Sequence, residues 1–284
     1  MNLIRFGNPG AELPGVLMPD GTRLDLSAHI PDYTPEFFAA GGMEQVKTLI
    51  RENGQGLPAV AADARLGPPI ARPRKFIAIG QNYRLHVEEV GNQMPTEPAV
   101  FTKLTSCICG PDDDVMVPRA STKLDYEVEL AFVMKNRVRY LGSEAEAMQH
   151  VAGFLICNDV SEREFQLERG GQWVKGKSHD TFGPLGPCLT PAEEVPDYGN
   201  LDLKLSVNGE VRQDSNSNDM IFGVPHLVWY LSQYFTLEPG DLVTTGTPGG
   251  VAIGKNDFPW LKAGDTMELS ISKLGTQTQT VVAE

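Results

Sequence analysis

The run Leu124-Asp125-Tyr126-Glu127-Val128-Glu129-Leu130-Ala131-Phe132-Val133 reads as a β-strand that carries two glutamates on one face. Side chains alternate along a strand, so Glu127 and Glu129 point one way while Tyr126, Val128 and Leu130 point the other. Glutamate is depleted in strands, and like charges side by side on one face repel. Such a pair is tolerated most readily when a cation sits between its members. Downstream, Asn158-Asp159-Val160-Ser161 closes a second apolar run. Its carboxylate would complete an all-oxygen site for Mg²⁺ or a similar hard ion. Each piece alone also has an ordinary reading. The glutamates fit the wet face of a half-exposed strand, and Asp159 fits an acid at a helix N-terminus. Together the three carboxylates form a more specific pattern.

The chain of 284 residues has room for one large domain, or a small domain joined to a larger one. Its 29 glycines and 21 prolines argue for many turns, hence a strand-rich fold rather than a helical bundle. A formal charge of -13 excludes a global field that would attract nucleic acid or an anionic membrane. Cys107, Cys109, Cys157 and Cys188 form no CxxC pair and no zinc-ligand spacing, and they read as free thiols in a reducing compartment. The N-terminus has no signal-peptide core and no later segment could span a bilayer, so a cytoplasmic location is expected.

Residues 1–70 read as a small β-rich cap, with a turn at Asp20-Gly21 and a helix-compatible piece from Met43 to Glu52. The Gly/Pro/Ala-rich stretch from Asn53 to Arg74 separates it from a second domain, 71–284, that opens on Phe76-Ile77-Ala78-Ile79. Within that domain Ser143-Glu144-Ala145-Glu146 has the form of a capping box and predicts a helix running toward Val151. Ser161-Glu162-Arg163-Glu164 repeats that form and predicts a helix closed by Gly170-Gly171. Asn208-Gly209 predicts a hairpin within 201–213, and 224–235 reads as an apolar helix.

Several further groups carry chemistry. His86 and Glu89 stand three apart after Gly80-Gln81-Asn82, so on a helix they share a face. An imidazole held by a carboxylate is a working base for water, although on these residues alone a surface His beside a surface Glu is the ordinary reading. Arg163 and Gln166, also three apart, offer a carboxylate pocket at a helix start or else a solvated helix face. Lys175 and Lys177 are solvent charges or are drawn into a cleft. The segment 249–256 nearly spells a phosphate-binding loop, but Asn256 replaces the Ser or Thr that would hold magnesium and Asp257-Phe258-Pro259 cannot open the required helix. A nucleotide site is therefore rejected. Thr244-Thr245-Gly246-Thr247-Pro248 reads as a strand-end loop able to present a hydroxyl and backbone donors.

In this order Gly80-Gln81-Asn82-Tyr83 with His86 and Glu89, Tyr126-Glu127-Val128-Glu129-Leu130, Asn158-Asp159-Val160-Ser161-Glu162-Arg163, Gly176-Lys177-Ser178, 180–187 and Gly246-Thr247-Pro248 resemble the fumarylacetoacetate hydrolase superfamily. The resemblance runs from about Lys75 to the C-terminus. It implies a mixed, β-rich α/β fold with a rolled β-sheet around a divalent metal, Mg²⁺ or Mn²⁺, and a homodimer. By motif match Glu127, Glu129 and Asp159 hold the metal, His86 and Glu89 activate water, and Lys177 is the active-site lysine. Arg163, Gln166 and Thr247 fall where relatives hold the substrate, with Lys103 and Tyr83 as further substrate-side candidates.

The run from Ser161 to Trp173 with Lys175-Gly176-Lys177 is similar to a subgroup that includes proteins labelled ureidoglycolate lyase and hydrolases of 2,4-diketo-3-deoxy sugar acids derived from L-rhamnonate and L-fuconate. The implied activity is hydrolysis of a carbon–carbon bond in an acylpyruvate-type 2,4-diketo acid, with release of pyruvate. An oxaloacetate-type decarboxylase, a keto–enol isomerase, a ureidoglycolate lyase and a non-catalytic keto-acid binder are the alternatives.

Overall fold

The computed structural model describes residues 1–255 and 258–284. Strand Val128–Met134 is buried at every position, as is its antiparallel neighbour Val151–Asn158. Runs this apolar on both faces belong at the centre of a layered structure, and these two lie in the middle of a mixed sheet. From edge to edge its path is Arg23–Asp25, Leu13–Leu17, Asn2–Phe6, Gly183–Pro191, Val151–Asn158, Val128–Met134, Leu242–Thr244, Phe76–Gly80 and Ala99–Lys103.

A second sheet contains, in order, Glu210–Asn216, Asp202–Val207, Thr266–Ile271, Gly275–Ala283 and Val115–Val117. Asp202–Val207 and Thr266–Ile271 alternate exposed and buried positions, so this sheet keeps one wet face. Its buried side chains, among them Leu203, Leu205 and Leu269, join one core with Val128, Leu130 and Ile156 of the first sheet. The hairpin within it turns at Asn208 and Gly209, both at positive φ (52° and 80°), the backbone for which Asn-Gly is suited. Helix Val224–Tyr234 buries Val224, Leu227, Val228 and Leu231, spaced to form one apolar stripe.

Pairing directions gather the loops that matter. Leu242–Thr244 runs parallel to Phe76–Gly80, with Thr244 opposite Ala78, so both strands end on the same side. Val128–Met134 runs antiparallel to Leu242–Thr244 and therefore begins on that side. The turn at 80–82, the loop at 245–248 and the glutamate pair consequently meet at one edge.

Three local expectations change. The run 124–133 is not one strand: Leu124–Asp125 and Val128–Met134 are separate strands, with Tyr126 and Glu127 between them. Glu144–His150 is a 3₁₀ helix, and the Ser143 hydroxyl donates to Glu146 Oε1 rather than capping a backbone N–H. Ser161–Glu162 forms a short antiparallel pair with Leu124–Asp125 instead of opening a helix, and a π-helical turn follows at Glu164–Glu168. Cross-strand pairing with a distant segment there outcompetes the local capping signal. Asn256 and Asp257, on which the rejection of a phosphate-binding loop partly rested, lie outside the described residues. Among the described residues no helix is long and apolar enough to cross a membrane.

The sheet does not stop at residue 70. Asn2–Phe6 pairs with Gly183–Pro191, with Leu3 opposite Leu189. Arg65 adds a two-point link by donating from Nε and Nη2 to Asp113 at 2.7 and 2.5 Å. Removing residues 1–70 is accordingly expected to bare a sheet edge and part of the core, and to leave 71–284 aggregated or lacking a cooperative melt. A soluble 71–284 fragment that melts at the temperature of the whole chain would contradict this.

Candidate functional site

The register of the central pair brings the carboxylates together. Val128 lies opposite Asn158, so Asp159 falls beside Glu127 and donates its backbone N–H to Glu127 O at 2.9 Å. Asn158 is fully buried; its side-chain oxygen accepts from Glu127 N at 3.1 Å and its amide donates to Gln279 Oε1 at 3.0 Å, which locks the crossing. One ligand oxygen from each of Glu127, Glu129 and Asp159 lies within 4.8 Å of the others, and all three residues are buried. The wet-face reading of Glu127 and Glu129 does not survive that burial.

Three basic side chains answer the charge. Lys177 Nζ donates to Glu127 Oε2 at 2.7 Å and to Asp159 Oδ2 at 2.9 Å, bridging two of the trio. Lys103 Nζ donates to Asp159 Oδ1 at 2.5 Å and to the carbonyl of Lys177. Arg163 donates from Nε to Asp125 Oδ2 at 2.8 Å, from Nη2 to Glu127 Oε1 at 2.6 Å and from Nη1 to Gln166 Oε1 at 3.1 Å. Burial alone would raise Glu127, but Lys177 and Arg163 outweigh it and bring its carboxyl down to about 2. Burial likewise opposes the charge of Lys103, and Asp159 more than restores it.

Glu129 is treated differently. It accepts a hydrogen bond from Gly246 N at 3.0 Å, and no ion pair reaches it among the described residues. Burial, then the charges of Asp159 and Glu127, push its carboxyl well above the ordinary range. A hard divalent cation would relieve that conflict, so this all-oxygen set fits such an ion.

A cavity of about 130 Å³ opens beside the carboxylates. His86, Arg163, Gln166, Lys177 and Thr247 line it together with Glu127 and Glu129. His86 and Glu89 sit on helix Arg84–Glu89 with His86 Nδ1 3.9 Å from Glu89 Oε2, close but beyond hydrogen-bond reach. That nitrogen is buried and without a hydrogen-bond partner among the described residues. Glu89 accepts from Gly250 N at 2.8 Å and pairs with Lys255 at 3.0 Å. Burial works against its charge, yet His86, Gly250 and Lys255 together lower its carboxyl below the usual value.

The oxygen of Gln166 is committed to Arg163, which leaves its NH₂ for a ligand. Thr247 donates to Val128 O at 3.0 Å and accepts from Gln213 Nε2 at 2.8 Å, so its hydroxyl proton is already used. Lys103 and Tyr83 do not line the cavity: Lys103 lies behind Asp159, and Tyr83 is fully buried. Burial and the nearby Glu129 charge push the Tyr83 phenol up.

Sequence reading passed over two supporting residues. Asp125 is fully buried and takes Arg163 together with the backbone N–H groups of Ala252 and Ile253. Its place two residues before Glu127, in an acid-every-second-residue pattern, was the available signal. Gln213 accepts from Val128 N and donates to Thr247 and Pro248 O, bracing the 245–248 loop from the second sheet. Nothing local in the sequence marks it.

The family model for the fumarylacetoacetate (FAA) hydrolase C-terminal region matches residues 75–282. The chain belongs to the fumarylacetoacetate hydrolase family. A Burkholderia multivorans protein named "Putative hydrolase" is 48% identical over 280 residues, 98% of each chain. Maleylpyruvate hydrolase from Sphingobium sp. SYK-6, in complex with manganese (II) ion and pyruvate, is 30% identical with a TM-score of 0.82, over 100% of this chain and 99% of that one. The 5-carboxymethyl-2-hydroxymuconate delta-isomerase of Mycobacterium smegmatis is 31% identical with a TM-score of 0.78, again over 100% and 99%. The fold is therefore the expected one, mixed β-sheets with few helices and no closed barrel, in a family of hydrolases and isomerases. The narrower likeness to ureidoglycolate lyases and diketo sugar-acid hydrolases has no counterpart in the names of these three relatives.

Two outcomes follow from the charge arrangement. Lys177→Met leaves Glu127 and Asp159 short of a buried partner and should cost the metal-free protein about 3–5 kcal/mol in denaturant unfolding, with much of the loss recovered by Mg²⁺. A variant as stable as the parent without metal would count against that arrangement. The raised Glu129 carboxyl holds its proton more tightly folded than unfolded. Its contribution to stability is therefore full below the ordinary value of 4.5 and drains away as pH rises through the raised one. Metal binding must expel that proton, so the rise in Tm on adding Mg²⁺ should grow with pH across this range. A pH-independent rise would contradict it.

Proposed function

We propose that this protein is a divalent-metal-dependent hydrolase that breaks a carbon–carbon bond in a 2,4-diketo acid and releases pyruvate, with 2,4-diketo-3-deoxy sugar acids as the substrate type. The observation that carries this reading is one cavity flanked by both a hard-ion carboxylate trio and a histidine beside an ionised glutamate. The relative that holds manganese and pyruvate supports the same direction. Mg²⁺ or Mn²⁺ and a homodimeric assembly belong to the proposal.

Glu127, Glu129 and Asp159 would hold the ion, which supplies positive charge to the carboxylate and 2-oxo end of the substrate. The Gln166 NH₂ donates to that same end, while Arg163 keeps Glu127 and Gln166 in place. His86, with Nδ1 turned toward Glu89, takes a proton from water through its other ring nitrogen. The resulting hydroxide adds to the 4-carbonyl carbon. The bond between C3 and C4 then breaks, its electron pair passing to C3 as the enolate of pyruvate, and a proton added at C3 completes the products. Lys177 bridges Glu127 and Asp159 and lines the cavity, placed to offset negative charge that gathers during cleavage.

Keto–enol isomerisation, the reaction class named for one relative, needs the enolate without activated water. The buried Nδ1 of His86, without a hydrogen-bond partner among the described residues and beside a glutamate whose carboxyl is lowered, favours hydrolysis. His86→Ala should lower pyruvate release about 10²–10⁴-fold while Mn²⁺ binding, followed by calorimetry, is retained. Chelator should stop release in the parent enzyme. Ordinary turnover by His86→Ala refutes the assigned role, and pyruvate release unaffected by chelator refutes the need for metal.

A further inference from the structure

Each carboxylate of the trio has two oxygens, and the fold commits one of each pair to a donor of its own. Glu127 Oε1 accepts from Arg163 Nη2 at 2.6 Å. Asp159 Oδ1 accepts from Lys103 Nζ at 2.5 Å. Glu129 Oε2 accepts from the backbone N–H of Gly246 at 3.0 Å.

These donors are themselves anchored. Arg163 Nε is held by Asp125 Oδ2 at 2.8 Å, and Asp125 also takes the backbone N–H groups of Ala252 and Ile253. Lys103 is buried, donates to the Lys177 carbonyl as well, and carries its Nζ 5.9 Å from the centroid of the Phe76 ring. Gly246 has φ 94°, and a Cβ there would stand 3.0 Å from Asn82 Cβ and 3.1 Å from Ile79 O. Only glycine fits a backbone of that shape, so the N–H offered to Glu129 is fixed by the loop.

The remaining oxygens are placed differently. Glu127 Oε2 and Asp159 Oδ2 share one partner, Lys177 Nζ, at 2.7 and 2.9 Å. Glu129 Oε1 accepts no hydrogen bond among the described residues, and Glu127, Glu129 and Lys177 all line the cavity. An ion entering there meets one oxygen from each carboxylate. Binding through both oxygens would strip Arg163, Lys103 or the Gly246 N–H of its buried partner, which is costly. Ca²⁺ takes about six to eight oxygens and often two from one carboxylate, whereas Mg²⁺ takes about six and readily completes its shell with water.

We propose that Arg163, Lys103 and the Gly246 N–H restrict each carboxylate to a single ligand oxygen, and that this makes the centre select Mg²⁺ over Ca²⁺. Lys103, which does not line the cavity, is the positioning residue that enforces the restriction at Asp159. The inference rests on the trio being a metal centre and not on which reaction that centre serves.

Calorimetry on the chelator-treated protein should give a lower Kd for Mg²⁺ than for Ca²⁺, the reverse of the order at a flexible carboxylate site. Pulsed EPR of the Mn²⁺-loaded protein in D₂O should count about three exchangeable waters, the balance of a six-coordinate shell. Lys103→Met frees Asp159 Oδ1, so the ratio of the Ca²⁺ Kd to the Mg²⁺ Kd should fall about tenfold. The lost positive charge favours both ions alike and cancels in that ratio. Ca²⁺ held as tightly as Mg²⁺ by the parent, two or fewer waters, or an unchanged ratio in the variant overturns the proposal. Should Lys103→Met fail to fold, the ion order and water count of the parent decide it. If no divalent ion binds, the metal-dependent reading itself falls and takes this one with it. Binding without preference for Mg²⁺ sinks the selectivity alone.

Discussion

Three carboxylates crowded into a buried corner are the constraint around which the rest of this protein is arranged. At about 4 Å apart and an effective dielectric near 20, each ionised pair would repel by about 4 kcal/mol, a large fraction of what holds a typical domain together. The fold meets this with Lys177, Lys103 and Arg163, each itself buried and each donating to more than one group. The neutral remainder is equally constrained. Asn158, Gln213 and Asn82 spend their amides on backbone and side-chain partners that would otherwise be stranded in the interior.

Sheet topology explains why so many distant residues can serve one corner. A parallel pair flanked by an antiparallel strand delivers two chain exits and one entry to the same edge. The turn bearing Gln81, the helix bearing His86 and the loop bearing Thr247 therefore surround the glutamates without any long excursion of the chain. Rigid strands fix the carboxylates, while shorter loops shape the cavity, the division expected when one chemistry serves several substrates in a family.

Much of this was legible before any coordinates. The Asn-Gly hairpin and the apolar helix read at 224–235 depend on local pattern, and local pattern is what a sequence displays directly. Readings failed where a remote segment intervened. Ser161 has the local form of a helix cap, yet it pairs with Asp125 across a short ladder. Lys103 is instructive in another way. Its motif position is close to the site in sequence logic, yet register places it behind Asp159, where it meets a carboxylate instead of the cavity. Gln213 has no local mark because its partners lie far along the chain, and no spacing rule connects them.

The ammonium of Lys177 sits between two of the oxygen donors that an arriving ion would need. It acts as a resident stand-in: a single charge, tethered to the backbone, keeping the donors from springing apart. An ion held by Glu127, Glu129 and Asp159 would share two of its carboxylates with this lysine, so the two charges would act on the same corner.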